Sequence, residues 1–470
     1  MRTMIGGACF LLSLSSAWGA PLRVPQDHAS IQAAIEVAVP GDTVVVAPGT
    51  YRECLRLKPG VILRSAGDDE RGTVGLRRAE LTIIDGTSGQ GKRPGVEMSA
   101  ESMLDGFTVT NVGQYDDAEW RRHWESQGEE LGDEEGAVQA EGTTPAIAIT
   151  GVNCSVTRCI VHHNGDVGIG ILGKKQTTTA PIIRDNHVFR NMGGGIGAAE
   201  GAEPVIRGNV CYENLRAGIG CRAAHPLIVD NECRGNVRAG IGCREGSQAV
   251  IRQNRCWRNR RAGIGIRMPN TAPVVEANEC YENELAGIGC RDGARPWIGR
   301  NTCRGNKLVA IGITGASTAT IVDNDLARDG GMPPLLAVRG QSTAFIQGNR
   351  FSGGGVAAVI VDGRATLVGN TFVGRDAPSG QGIWIWENAT ANIADNSFEG
   401  YATAVSAGKA SVVVTGNTIR KFRGTAIVVK ASSTPARVWG NTAVSNDPAA
   451  RSVDVQGPMG LVEENVVQRE

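Results

Sequence analysis

The sequence predicts an all-β fold, a single-stranded right-handed parallel β-helix of about 14 coils with an N-terminal cap helix, and three observations carry that prediction. First, Gly-Ile-Gly recurs with its Ile at 169, 196, 219, 241, 264 and 288, and the variant Ala310-Ile311-Gly312 follows, in steps of 27, 23, 22, 23, 24 and 23 residues. Second, Asn-x-Cys-x-x-Asn runs in phase with it: Asn209/Cys211/Asn214, Asn231/Cys233/Asn236, Asn254/Cys256/Asn259, Asn278/Cys280/Asn283 and Asn301/Cys303/Asn306. Third, each repeat of 22–24 residues holds three short apolar stretches, such as Val205-Ile206, Val210-Cys211 and Ile219 to Cys221. These are too short for helices, and no 3.6-residue period links them. Stacked coils bring each repeat position into one column, spaced by about 4.8 Å like neighbouring strands. The Asn then form ladders at the bends, where Asn tolerates turn geometry and one amide bonds the next. The beat continues through Asn324, Asn349, Asn370, Asn396, Asn417, Asn441 and Asn465.

In chain order, residues 1–20 read as an export signal: Arg2, an apolar run from Met4 to Leu14, and small residues at Ala17 and Gly19 before cleavage near Gly19 or Ala20. Residues 21–112 form the N-terminal cap and first coils. Within them, Ser30 to Tyr51 reads as a short amphipathic helix followed by a strand over Thr43 to Ala47, which covers the open first coil. Residues 113–140 are an acidic insertion. Its stretch Gln114 to Gly136 holds nine acids against Arg121 and Arg122, and Asp117 starts a short helix carrying Trp120, Trp124 and Leu131. Its charge mirrors that of the basic coils, so it is read as a flap folding toward them or as a solvated acidic loop. Residues 141–470 form the solenoid.

Composition removes other classes. The 470 residues include 64 Gly without a G-X-Y period, which excludes collagen, and the 41% hydrophobic share excludes disorder. Forty-eight basic and 48 acidic side chains give no overall reason to expect nucleic acid as a partner. No run after residue 20 reaches the roughly 18 uncharged apolar residues of a spanning helix. The expectation is an exported monomer, periplasmic or extracellular and not membrane-spanning. Eleven Cys then remain, an odd number for an oxidising compartment.

Residues 30–65, with Ile84-Asp85-Gly86 and Leu104-Asp105-Gly106-Phe107-Thr108-Val109, resemble the opening of secreted β-helix proteins related to pectin methylesterase. That group includes the copper-maturation protein NosD and carbohydrate-binding and sugar-hydrolase β-helix proteins. The resemblance implies a pectin lyase-like fold and an export route. The esterase's Gln-Asp-Thr and Asp-Phe-Ile/Val segments are absent. Ala294-Arg295-Pro296-Trp297 resembles its Gly-Arg-Pro-Trp segment but fills the repeat slot of Ala224-His225-Pro226 and Thr271-Ala272-Pro273. Polygalacturonase-like Asp-Asp and Gly-His-Gly segments, and an Asp cluster for the Ca²⁺ of a pectate lyase, are also absent.

Two cysteine columns follow from the repeat. One takes Cys159, Cys211, Cys233, Cys256, Cys280 and Cys303, interrupted by Val188. The other takes Cys221, Cys243 and Cys290, in a slot filled elsewhere by Ile171, Ala198, Ile266 and Ile313. The apolar substitutes favour a buried row of small hydrophobes, and a soft-metal track for copper stays open because stacked thiolates suit Cu(I). No cofactor is otherwise expected. His162-His163, without further ligands at metal spacing, reads as a bend.

The outward face carries the functional signal. With Ile219 and Cys221 inward, strand alternation sends Gly218, Gly220 and Arg222 out. The Arg222 column continues as Arg244, Arg267, Arg291, Thr314, Arg339, Asp362 and Trp386, while Trp384 falls in the Gly column. Arg216, Arg238 and Arg261 border the strand on its other side. From Val205 to Lys307 there are 17 Arg plus Lys against 9 Asp plus Glu. Like charges stacked at this spacing repel and call for an offset. The favoured reading is an anionic or cell-envelope polysaccharide bound along Arg222, Arg244, Arg267, Arg291 and Arg339, with Trp384 and Trp386 stacking sugar rings. A lyase, hydrolase or epimerase acting on the same face, with Glu245 and Asp292 as its outward acids, is the alternative. NosD-like copper handling is the second alternative.

Overall fold

The computed structural model describes residues 21–126, 144–374, 379–430, 435–457 and 459–469. The expected signal at 1–20 and the part of the acidic insertion from 127 to 140 lie outside them. Each coil gives one strand to each of three parallel sheets, here numbered in the order the coil meets them. In one coil these strands are Val205–Arg207, Val210–Tyr212 and Ile219–Arg222. Their register to the next coil is Val205 on Leu227, Cys211 on Cys233 and Ile219 on Ile241. This is the right-handed parallel β-helix that the Gly-Ile-Gly period predicts.

Among the described residues the three sheets hold 18, 17 and 16 strands. The expected 14 coils fall short of the 18 turns of the first sheet. Fourteen of its strands follow residue 150, as the period implies. Four more, Leu22–Val24, Thr43–Val46, Ile62–Ser65 and Met103–Asp105, come from a region with no Asn-x-Cys beat to reveal them. The helix Ile31–Val37 is capped by the Ser30 side chain, which accepts from the Ala33 N–H. It buries Ile31, Ala34 and Ile35 against the first strands.

Asn side chains join the coils at two corners. Thirteen Asn, from Asn186 to Asn465, form one ladder in which each Nδ2 donates to the next Oδ1, as in Asn231 to Asn254 at 2.9 Å and Asn254 to Asn278 at 2.9 Å. A shorter ladder runs from Asn164 to Asn306. Asn254 also donates to the Ile228 and Arg252 carbonyls, and its Oδ1 accepts the backbone N–H of Asn231, so a fully buried amide is satisfied. The left-handed turn conformation falls not on the Asn but on the residue before it, such as Asp230, Gln253 and Ala277. Asn is therefore placed here by its hydrogen-bonding amide, and the turn tolerance is supplied by its neighbour.

One inward column of the second sheet runs from Val161 and Val188 through Cys211, Cys233, Cys256, Cys280 and Cys303 to Leu326 and Phe351. Phe351, Phe372 and Phe398 then stack with ring centroids 4.6 and 4.4 Å apart. Cys159 does not belong to this column: its N–H donates to Asn186 Oδ1, which puts it in the ladder slot, two residues before Val161. The other expected column is present, with Ile171, Ala198, Cys221, Cys243, Ile266, Cys290 and Ile313 in register.

Candidate functional site

The third sheet carries an elongated groove of about 860 Å³ that runs along the coils from Asp166 to Ile360. Its floor is the outward column Gly197, Gly220, Gly242, Gly265, Gly289 and Gly312, continued by Ala337 and Ile360. A Cβ placed on Gly220 would meet nothing within 4 Å, and one on Gly242 or Gly289 would make only ordinary contact with alanine methyls at 3.7 Å. Packing therefore does not demand glycine at these three positions, whereas a Cβ on Gly312 would stand 3.1 Å from the Val309 side chain.

A second glycine column behaves otherwise. Gly218 precedes the strand, and its Cβ would lie 2.8 Å from both the Gly240 carbonyl oxygen and Asn236 Nδ2, and 3.2 Å from the Cβ of Cys211. It faces the interior, which corrects the outward assignment: alternation holds within a strand and fails across the bend before Ile219.

Guanidinium groups form both rims. Arg222, Arg244, Arg267, Arg291 and Arg339 line one side, and Arg216, Arg238 and Arg261 line the other at the start of the groove. Carboxylates at the adjoining bend offset the repulsion. Glu200 bonds Arg222 at 2.7 Å, Glu245 lies 3.9 Å from Arg222 and 3.4 Å from Arg244, Asp292 lies 3.4 Å from Arg291, and Asp362 lies 3.8 Å from Arg339. Burial lowers the pKa of Arg216 and of Arg244, with Asp166 and Glu245 respectively opposing the shift. A guanidinium stays cationic under such a shift. The Arg222 Nε is buried with no hydrogen-bond partner.

The Trp pair stands one rung beyond Ile360, and neither ring lines the groove. Trp384 and Trp386 meet edge to face at 5.6 Å, and the Arg339 guanidinium lies 4.7 Å from the Trp386 ring centre. The pair closes that end of the floor. At the opposite end the described part of the acidic insertion forms a helix, Asp117–Glu125, capped by Asp116. Its Trp120 packs with Leu215 and Val237, and Arg190 both covers the Trp120 ring at 4.3 Å and bonds Asp117 at 3.0 Å. Leu215 and Val237 directly precede Arg216 and Arg238, so the helix braces the outer side of that rim. None of residues 114–126 lines the groove, and a flap from residue 127 onward falls outside the described residues.

Cys221, Cys243 and Cys290 belong to the groove's wall, yet each is buried. Ten of the eleven described Cys are buried, Cys54 is half-buried, and all are free. Burial raises the Cys154 and Cys290 pKa to about 12 and that of Cys233 well above the usual value. Among the described residues no three His, Cys, Asp or Glu side chains converge as a metal site. His162 and His163 meet through their Nδ1 atoms at 2.6 Å, and His162 stacks on Phe189. Pro296 and Trp297 occupy an ordinary repeat slot, with Trp297 in register between Val274 and Thr320.

Sequence reasoning missed three features of the groove: Asp166 at its end, Glu200 beside Arg222, and the apolar residues Leu285 and Leu308 in the rim. The signal for Glu200 is its place directly after Ala199, the slot that holds Glu245 and Asp292 two and four coils later.

No curated protein sequence matches the chain. Among solved structures it is similar to the A-module of the mannuronan C-5 epimerase AlgE4 from Azotobacter vinelandii, at 16% identity over 94% of this chain and 95% of that one, with a TM-score of 0.39. It is also similar to XylC in complex with xylose, at 13% identity over 82% of each chain and a TM-score of 0.38. A third is the pectate lyase Pel9A, at 13% identity over 90% of this chain and 76% of that one, with a TM-score of 0.25. The family model described as "Right handed beta helix region" matches residues 170–326 and 335–468. Together with the three in-register sheets, that match places the chain in the right-handed β-helix family.

Proposed function

We propose that this protein is an exported, monomeric binder of a linear anionic polysaccharide, held in the groove of the third sheet. The observation that carries the reading is the glycine floor, free of side chains where packing would admit them, between two rows of guanidinium groups. An extended chain lying on that floor presents carboxylates to Arg at one-rung intervals, and guanidinium forks bind carboxylates with two parallel hydrogen bonds. Binding is favoured over catalysis by the groove's composition. Among the described residues Asp166 is the one lining carboxylate, and no His, Lys or Tyr lines the groove, whereas cleavage or epimerisation of a sugar needs a positioned acid–base pair. The copper reading draws no support from the described residues, among which no three His, Cys, Asp or Glu side chains converge.

The test is a binding and turnover screen against polyuronide, sulfated and neutral glycans, with an R222A/R244A/R267A/R291A variant alongside. Polyuronide binding is expected to weaken with salt and to fall by about a hundredfold or more in the variant. Released unsaturated or shortened sugars make the protein an enzyme instead, and binding that ignores the four substitutions removes the groove as the site.

A further inference from the structure

The groove changes chemistry along its length. The rim row Arg216, Arg238 and Arg261 continues as Leu285 and Leu308, with the Leu285 N–H bonded to the Arg261 carbonyl at 3.1 Å and the Leu308 N–H to that of Leu285 at 2.8 Å. These leucines are 44% and 52% exposed. Beside them Ala286, Val309 and Ala337 form a small apolar cluster of their own, separate from the main core. The opposite rim stays polar through Arg291, Thr314 and Arg339.

Nothing in the winding requires this switch. The same corner accepts Arg in three preceding coils, and the leucine side chains leave the rod rather than fill it. An exposed apolar patch continuous with a basic groove marks a ligand surface. It matches a ligand that is charged over one part and apolar over the next.

We infer that the groove's occupant is an anionic saccharide carrying a hydrocarbon chain, a lipid-linked saccharide. Its charged units lie between the two Arg rows, and its chain lies along Leu285 and Leu308 beside the Ala286–Val309–Ala337 cluster. This rests on the reading of the groove as an anionic-glycan site and adds to it the chemistry of one end of the ligand. Removing the chain from water against this surface supplies the additional affinity.

Two oligogalacturonates of equal length, one bearing a decyl group at its reducing end, are titrated below the micelle concentration into the full chain and into a Leu285→Ser/Leu308→Ser variant. The decyl probe is expected to bind the native protein about tenfold or more tightly than the plain one. In the serine variant that advantage disappears while affinity for the plain probe is unchanged. Equal affinity of the two probes for the native protein, or a decyl advantage that survives the serines, overturns the inference and leaves the glycan reading standing. Failure of both probes to bind at low salt overturns the glycan reading and this inference together.

Discussion

Two residues apart in every central repeat, glycine answers two different constraints. Gly240 has no room for a methyl: its Cβ would stand 2.8 Å from the Gly263 carbonyl oxygen and 2.9 Å from Asn259 Nδ2. Gly220 has open space. Gly240→Ala is therefore expected to destabilise the protein by more than about 2 kcal/mol, whereas Gly220→Ala stays within about 0.5 kcal/mol, as read from denaturant midpoints. Gly242→Trp, with its side chain standing on the floor, is expected to abolish polyuronide binding while leaving the melting temperature unchanged. Retained binding by that variant removes the floor from the site. The Arg column was legible because Ile, Gly, Cys and Arg alternate strictly from Ile219 to Arg222. Gly218 was misplaced because the same alternation does not extend through a bend. Leu285 and Leu308 were visible at the Arg216 slot, but a search for like charges stops where the charge stops.

At the scale of elements, the Asn ladder is what makes adjacent coils dependent on one another. Asn254→Ala leaves the Asn231 N–H without its acceptor, takes one of three acceptors from Asn231 Nδ2 and removes the side-chain donor from the Ile228 and Arg252 carbonyls. One buried N–H orphaned together with the loss of three further hydrogen bonds costs about 2–4 kcal/mol, measurable in urea melts. The corner at His162 adds a pH dependence. Burial, then the neighbouring His163, lowers the His162 pKa from its usual 6.5 to about 4. The unfolded chain thus takes up the proton first, so stability is full above about pH 6.5 and is lost as pH falls toward 4. The loss amounts to about 3 kcal/mol for this group. His162→Phe, continuing the stack on Phe189, is expected to flatten that acid limb; an unchanged slope between pH 7 and pH 4 assigns it to other groups. These ladders and corners were legible because the repeat marks each with the same letter. The brace made by helix Asp117–Glu125 was not, since its partners Leu215 and Val237 belong to coils far along the chain.

Across the whole molecule, the groove behaves as a ruler. Its floor from Gly197 to Ile360 spans eight rungs, or about 34 Å. Affinity for anionic oligomers is expected to rise with length over the rungs flanked by both Arg rows, Gly220 to Gly265, and then to level off, which calorimetry on a graded oligomer series checks. A steady rise beyond that length carries anionic binding past the paired Arg rows. The period of the central repeats gave the winding and the number of coils after residue 150. It was silent on the four N-terminal turns, where strands such as Ile62–Ser65 form without the Asn and Cys that betray the others. The long ladder also has a direction. Every amide from Asn186 to Asn465 turns its carbonyl toward the earlier coil and its NH₂ toward the later one, so thirteen side-chain dipoles add along the axis. No interior member can flip without breaking bonds on both sides, whereas those at the two ends are held from one side less firmly. The stretch of the rod from Asn186 to Asn465 is thereby polarised along its axis by neutral side chains, in a chain that carries no net charge.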